Sequence, residues 1–315
     1  MLRTMLVNCS SLLSFIGSFL TVAIISVWIA LANEPQSYDE GYNRAVAALE
    51  AGQTENARQI IQGLLKLGDK AELHNLLAEV EEASGNIEEA ARQYQMAARM
   101  DPSEKNVFDF ADDLLTHRDY PHALEIFDYG AKKFQQSARL RVGLGVTQYS
   151  LGQYKQAVES LCEAVDLDPK DTRALDFIGK MYDVAPELAS EVTERLEHFA
   201  TLYPNNAAAN YYYALSLRKR GTNGGTSDAN RKAELLLERA TELNPTFADA
   251  HYQLGLLWED EGQDAKAVQE YEAAARLNDK LKAAHYRLAR LYAKAGRRAE
   301  SRKEFQIVQS LEAGH

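Results

Sequence analysis

Three histidines, His74, His251 and His285, and two cysteines, Cys9 and Cys162, are the side chains of this chain best suited to proton transfer, metal ligation or nucleophilic attack. Such chemistry needs the groups to converge, and their spacing argues against it. His251 and His285 stand 34 residues apart, and no His-Glu-x-x-His, Cys-x-x-Cys, Gly-x-Ser-x-Gly or phosphate-binding loop occurs. Gly143-Leu144-Gly145 lacks the third glycine of a dinucleotide fingerprint and reads as a small-residue packing site. Two cysteines so far apart exclude a disulfide framework and any multi-cysteine metal site, and Cys162, beside Leu161, is expected to be a packed, inert thiol. The run Glu79, Glu81, Glu82 is expected to be a solvated helix face, because nothing near it supplies metal-ligand spacing. No cofactor and no metal is expected, and an enzyme is the least favoured class of function.

The chain has 315 residues, with 35 Lys+Arg against 46 Asp+Glu and a net charge of −11. Arg3 is the only charged side chain before Glu34, so residues 33–315 carry −12. A chain this acidic offers no basic footprint for nucleic acid. With 18 Gly and 7 Pro it is also no collagen or disordered stalk. Its length allows two compact domains or one elongated one.

Residues 12–32 contain no charge, 21 positions in all, about what a helix needs to cross a bilayer. Residues 1–32 are therefore expected to be either an uncleaved transmembrane anchor, with Trp28 near its outer end, or a signal peptide cut after Ala32. Arg3 lies on one flank, and Glu34, Asp39 and Glu40 on the other. Both readings keep the positive end cytoplasmic and export residues 33–315, either membrane-anchored on the periplasmic or other extracytoplasmic side or secreted after cleavage. Residues 33–37 form a short linker.

The elements that must position any site come from an internal repeat. Ala57, Ala90, Ala123, Ala157, Val192, Ala233, Ala267 and Ser301 follow one another at steps of 33, 33, 34, 35, 41, 34 and 34 residues. Gly52, Gly85, Gly152, Gly221, Gly262 and Gly296 keep the same rhythm, as do Pro102, Pro169, Pro204 and Pro245. Each unit reads as two amphipathic helices, such as residues 248–281, in which Gly255 and Ala267 are small so that the two helices can approach. Asp101-Pro102, Asp168-Pro169 and Asn244-Pro245 end their units, since proline lacks an amide donor and disfavours helix before it.

These residues resemble the 34-residue tetratricopeptide repeat. The clearest copies are 71–104 (Leu77-Ala78, Gly85, Ala90, Tyr94, Ala97, Pro102), 138–171 (Leu144-Gly145, Gly152, Ala157, Ala164, Pro169) and 248–281, with weaker ones at 38–71, 104–137, 172–206, 207–247 and 282–315. The resemblance implies an all-α fold: a right-handed superhelical solenoid of about eight helix-turn-helix repeats over residues 38–315, preceded by one apolar helix. Two units depart from the pattern. In 172–206 the turn glycine is missing, Val192 replaces the small residue and Ala185-Pro186 starts the second helix late. In 207–247 seven extra residues, around 222–227, form a polar loop that is either a tolerated insertion or a contact loop.

His74, His251 and His285 share one repeat position, where the family packs an aromatic side chain, so a structural role is expected for them. In a solenoid the first helix of each pair lines the concave side, and repeat positions 2, 5, 9 and 12 fall on its exposed stripe. That stripe is acidic early (Glu72, Asn75, Glu79, Glu82) and bears Tyr and Arg late. Tyr211, Arg218, Tyr252, Tyr286 and Arg290 are the candidate residues for binding a protein or peptide, because Tyr and Arg dominate interface hot spots. A tyrosine at position 5 can instead cover the pair beneath it. Repeat one offers Tyr42 and Val46 where a carboxylate-gripping member of the family would need Lys and Asn. The expected function is a non-catalytic scaffold or assembly factor. The alternative is a self-associating envelope component joined through its last repeat, which shows no additional polar helix after it.

Overall fold

The computed structural model describes residues 37–221 and 227–313. The expected apolar helix lies outside them, as does most of the polar insert. Among the described residues there are sixteen α-helices, one 3-10 turn and no strand. Among them, too, no helix is long and apolar enough to cross a membrane.

The helices are α1 (Tyr38–Glu50), α2 (Thr54–Leu67), α3 (Ala71–Ala83), α4 (Ile87–Met100), α5 (Glu104–Thr116), α6 (Tyr120–Lys133), α7 (Ala138–Ser150) and α8 (Tyr154–Leu167). They continue as α9 (Arg173–Val184), α10 (Ala189–Leu202), α11 (Ala207–Gly221), α12 (Ser227–Leu243), α13 (Ala248–Asp260), α14 (Asp264–Leu277), α15 (Lys282–Lys294) and α16 (Arg298–Ala313). Two helices fall within each unit read from the sequence. α4, α8 and α12 stop just before the Asp-Pro or Asn-Pro pairs.

Gly52, Gly85, Gly152, Gly262 and Gly296 adopt positive φ in the turn inside a hairpin, a conformation that a Cβ disfavours. Residues 104–137 lack that glycine, and Arg118 takes the left-handed conformation instead, with φ 63. In residues 172–206 Pro186 opens a 3-10 turn, Pro186–Leu188, ahead of α10. A proline suits this first-turn position, where its missing amide is no loss.

The chain divides into two compact units, Met1–Asp113 and Leu114–His315. In the first, Ala45, Ala57, Ile61, Leu64, Leu73 and Val80 from α1 to α3 form the core. In the second, one cluster joins α7 to α11 around Leu161, Ile178, Met181, Leu196 and Phe199. A further cluster joins α11 to α15 around Leu237, Leu254, Trp258, Tyr271 and Leu288. The small residues do what their spacing implied: a Cβ on Gly145 would meet Leu161, and one on Gly255 would stand 2.6 Å from the Tyr271 ring.

Candidate functional site

The Tyr and Arg residues read as one stripe are distributed over distinct surroundings. Tyr211 is buried, its ring 4.7 Å from Phe247 and 4.9 Å from Tyr212, so it belongs to the core. Tyr252 is half-buried, with its ring 5.7 Å from that of Tyr271. Tyr286 is exposed, with its ring 6.2 Å from Phe305 and the Arg290 guanidinium 6.0 Å from its centroid.

Arg218 lines a cleft. The cleft has a volume of about 340 Å³ and lies among α11, α12 and α13, with Leu215 and Leu256 as apolar walls and Arg218, Lys219, Asn230, Gln253 and Asp260 as polar ones. Arg218 donates to the Gln253 side-chain oxygen at 2.8 Å, to the Gln253 carbonyl at 3.3 Å and to Asp260 at 3.0 Å. Lys219 pairs with Asp183 of α9 at 2.7 Å. The guanidinium is thus held in place while Asp260 stays 72% exposed, a prepared polar wall beside an apolar one. Gln253 and Asp260 were not apparent from the stripe positions. Gln253 follows Arg218 by 35 residues although α11 and α13 start 41 apart, so no fixed repeat step pairs them and the sequence carries no periodic signal for the contact.

Of the run Glu79, Glu81, Glu82 expected to be a solvated helix face, Glu82 is exposed and Glu79 half-buried, and Glu81 departs from the expectation. Glu81 is buried, and Arg58 of α2 donates to both its oxygens, at 2.6 and 3.0 Å, while Asn86 donates at 2.7 Å. The Arg58 hydrogen bond holds the Glu81 carboxyl below its ordinary range, against burial. Glu82 accepts from Tyr94 at 2.9 Å. Lys105 donates to Asn75 and Asp109 at 2.5 and 2.6 Å, and Tyr38 donates to Glu72 at 2.6 Å. Burial outweighs the opposing Lys105 charge and pushes Glu79 up. A helical-wheel reading missed the burial of Glu81 because the neighbouring helix supplies Arg58, which makes it tolerable.

The histidines recur as a bonded pattern. His251 lies 2.7 Å from Glu270 and 3.2 Å from the Pro245 carbonyl, and His285 lies 2.6 Å from Glu304 and 3.1 Å from the Asp279 carbonyl. His74 meets Gln93 and Asp69. Each ties its helix to the second helix of the hairpin and to the preceding turn. Among the described residues no group of three His, Cys, Asp or Glu side chains could hold a metal. Cys162 is buried, and burial pushes its thiol up to about 12, out of reach of thiolate chemistry at neutral pH.

The tetratricopeptide repeat profile matches residues 42–105, 108–172 and 228–282, more than half of the chain. The chain belongs to the tetratricopeptide repeat family. A curated relative, a probable UDP-N-acetylglucosamine–peptide N-acetylglucosaminyltransferase SPINDLY from Hordeum vulgare, is 26% identical over 54% of this chain. The chain spans only 18% of that relative's length. A tetratricopeptide repeat protein from Parabacteroides merdae superposes with a TM-score of 0.51 at 14% identity, covering 81% of this chain and 98% of that one, a likeness of fold. The crystal structure of MamA is 26% identical, covering 54% of this chain and 95% of that one, with a TM-score of 0.43.

Proposed function

We propose that this protein is a non-catalytic scaffold or assembly factor that holds a peptide segment of another protein in the cleft between α11 and α13. The observation that carries the reading is the Arg218 arrangement: a guanidinium fixed by Gln253 and Asp260 beside Leu215 and Leu256 offers a directional polar contact next to an apolar seat. Family membership supports protein binding as the general role, while the residues at the cleft supply the specific one. Tyr252, Tyr286 and Arg290 extend the candidate surface beyond the cleft, and Tyr211 serves it from the core.

The uncharged stretch in residues 12–32, with Arg3 before it and Glu34, Asp39 and Glu40 after it, supports display of the repeats on the extracytoplasmic side, from an anchor or after cleavage. The test is site-specific photo-crosslinking of the full chain in its native membrane, with the crosslinker at Leu256 in the cleft and, separately, at the exposed Gln269 of α14. A discrete protein adduct from Leu256 alone, lost on Arg218→Ala, is expected. The same adducts from both positions, or adducts that ignore Arg218→Ala, would overturn the cleft as the site. Mass determination of the mature amino terminus decides between anchor and cleavage.

A further inference from the structure

Residues 211–213 are three successive tyrosines of α11, and the turn of the helix sends them to different neighbours. Tyr213 donates its hydroxyl to Glu197 of α10 at 2.6 Å, and Lys232 of α12 donates to the same carboxylate at 2.8 Å. Tyr212 lies across α9, where a Cβ on Gly179 would stand 2.6 Å from its ring, and it donates to Asp176 at 2.9 Å. Lys180 donates to the other Asp176 oxygen at 2.6 Å. Both tyrosines thus share a carboxylate with a lysine.

Tyr211 has the first two members of that set and lacks the third. Its ring packs on Phe247, two residues before Asp249 in the first turn of α13, and only 7% of the residue is exposed. Burial first, then the Asp249 and Asp176 charges, raise the Tyr211 pKa, so its hydroxyl is a protonated group turned towards carboxylates. That hydroxyl makes no hydrogen bond to any described residue. No described hydrogen-bond donor or ion-pair partner reaches Asp249 either, and partial burial with the Asp176 charge raises its pKa. Asp176 is already satisfied by Tyr212 and Lys180. Asp249 is left as the uncompensated charge, and the Tyr211 hydroxyl as the unused polar group.

We infer that Tyr211 and Asp249 take a lysine side chain of the bound peptide, whose ammonium supplies the cation that Lys232 and Lys180 supply to the other two pairs. An ammonium has three N–H donors, enough for two carboxylate oxygens and a hydroxyl. Tyr211 and Arg218 stand seven residues apart on α11, about 10 Å, which an extended peptide spans in about three residues. The inference rests on peptide binding in the Arg218 cleft and adds a sequence requirement to it: a lysine about three residues from the side chain seated on Leu215 and Leu256.

The test uses the full chain and fluorescently labelled tetrapeptides with leucine and lysine at their ends and two serines between, in both orders, each beside its norleucine counterpart, read by fluorescence anisotropy. Norleucine keeps most of the lysine stem and removes the charge. In one order the lysine peptide should bind at least about tenfold more tightly than its counterpart, and added salt should narrow the difference. Asp249→Asn should abolish the preference and Tyr211→Phe should reduce it at least about threefold, with folding checked by circular dichroism. An aspartate that serves only the amino-terminal end of α13 would cost stability on replacement without touching the preference. Arg218→Ala should weaken lysine and norleucine peptides alike. Equal binding of each pair together with loss on Arg218→Ala would overturn the lysine site and keep the cleft; a lysine preference that stands while Arg218→Ala changes neither peptide would do the reverse. No binding, a preference that survives Asp249→Asn, or 1,5-diaminopentane bound as tightly as the lysine peptide would each overturn the inference.

Discussion

Tyr271 reaches across its hairpin from α14 to donate its hydroxyl to Glu259 of α13 at 2.8 Å, and Tyr94 of α4 does the same to Glu82 of α3 at 2.9 Å, the partners standing 12 positions apart in both. The ring fills the core while the hydroxyl fixes an inner-face carboxylate, so one side chain joins packing to the surface available for binding. Burial first, and the carboxylate with it, pushes both phenols far above their ordinary range and keeps them protonated donors.

Tyr271→Phe keeps the ring and removes only the donor. A hydrogen bond to a charged acceptor contributes about 1.5–3 kcal/mol, so the variant should unfold more easily by an amount near the lower end of that range, measured by urea denaturation. Amide exchange should speed up first in α13 and α14. A variant as stable as the parent would mean that water replaces the hydroxyl at Glu259 without loss.

Two glycines in helix interiors should respond to alanine with opposite signs. Alanine is the better helix former by about 1 kcal/mol. At Gly63 in α2 a Cβ meets nothing within 4 Å, so Gly63→Ala should stabilise by roughly that amount. At Gly255 the added carbon would stand 2.6 Å from the fully buried Tyr271 ring, and overpacking costs about 1–3 kcal/mol. Gly255→Ala should therefore be destabilising despite the propensity gain. Thermal denaturation of both variants reads the signs directly.

The acid and base sides of the pH profile have different sources. Both nitrogens of His251 face acceptors, Glu270 and the Pro245 carbonyl, and only the imidazolium has two N–H groups to satisfy them. The Glu270 hydrogen bond, against burial, raises the His251 pKa. Its contribution is therefore complete below the unfolded value of about 6.5 and is lost as pH rises through the higher folded value. His251→Gln should cost more stability at about pH 6 than at about pH 9. Glu81 has the opposite sign: Arg58 lowers its pKa, so its stabilisation is present above the unfolded glutamate range and fades as pH falls through the folded value. The cost of Arg58→Ala should shrink on acidification. Denaturation midpoints across pH check both, and a pH-independent cost for His251→Gln would mean the ring is neutral.

How much of this was legible in the sequence depends on which physical constraint fixed each residue. Ala57, Ala90 and Ala267 repeat because helix pairs need a small residue at closest approach, and Gly85 and Gly262 because the turn needs positive φ. Such local constraints recur at a fixed step, so the hairpins could be read directly. The stripe of Tyr and Arg was harder, because a repeat position specifies the helix face but not the neighbour. Tyr211 meets Phe247 and is buried, whereas Tyr286 meets Phe305 and stays open. The burial of Glu81 likewise depends on Arg58, 23 residues away on another helix, and no one-helix pattern contains that information.

Arg118 shows the same period overridden at one position. It occupies the turn between α5 and α6 with φ 63, where five other turns place glycine, and its side chain is exposed. An L-residue held in the left-handed region costs about 1–2 kcal/mol relative to glycine's freedom there. Glycine gives back part of that gain, about 0.5–1 kcal/mol, through the larger entropy of its unfolded chain. The difference leaves Arg118→Gly stabilising by about 0.5–1 kcal/mol. Arg118→Val should move stability the other way, since a β-branched side chain crowds the left-handed conformation more. Urea denaturation of the two variants beside the parent checks the order Gly, Arg, Val; a parent more stable than Arg118→Gly would show that the arginine side chain contributes contacts worth more than the backbone strain.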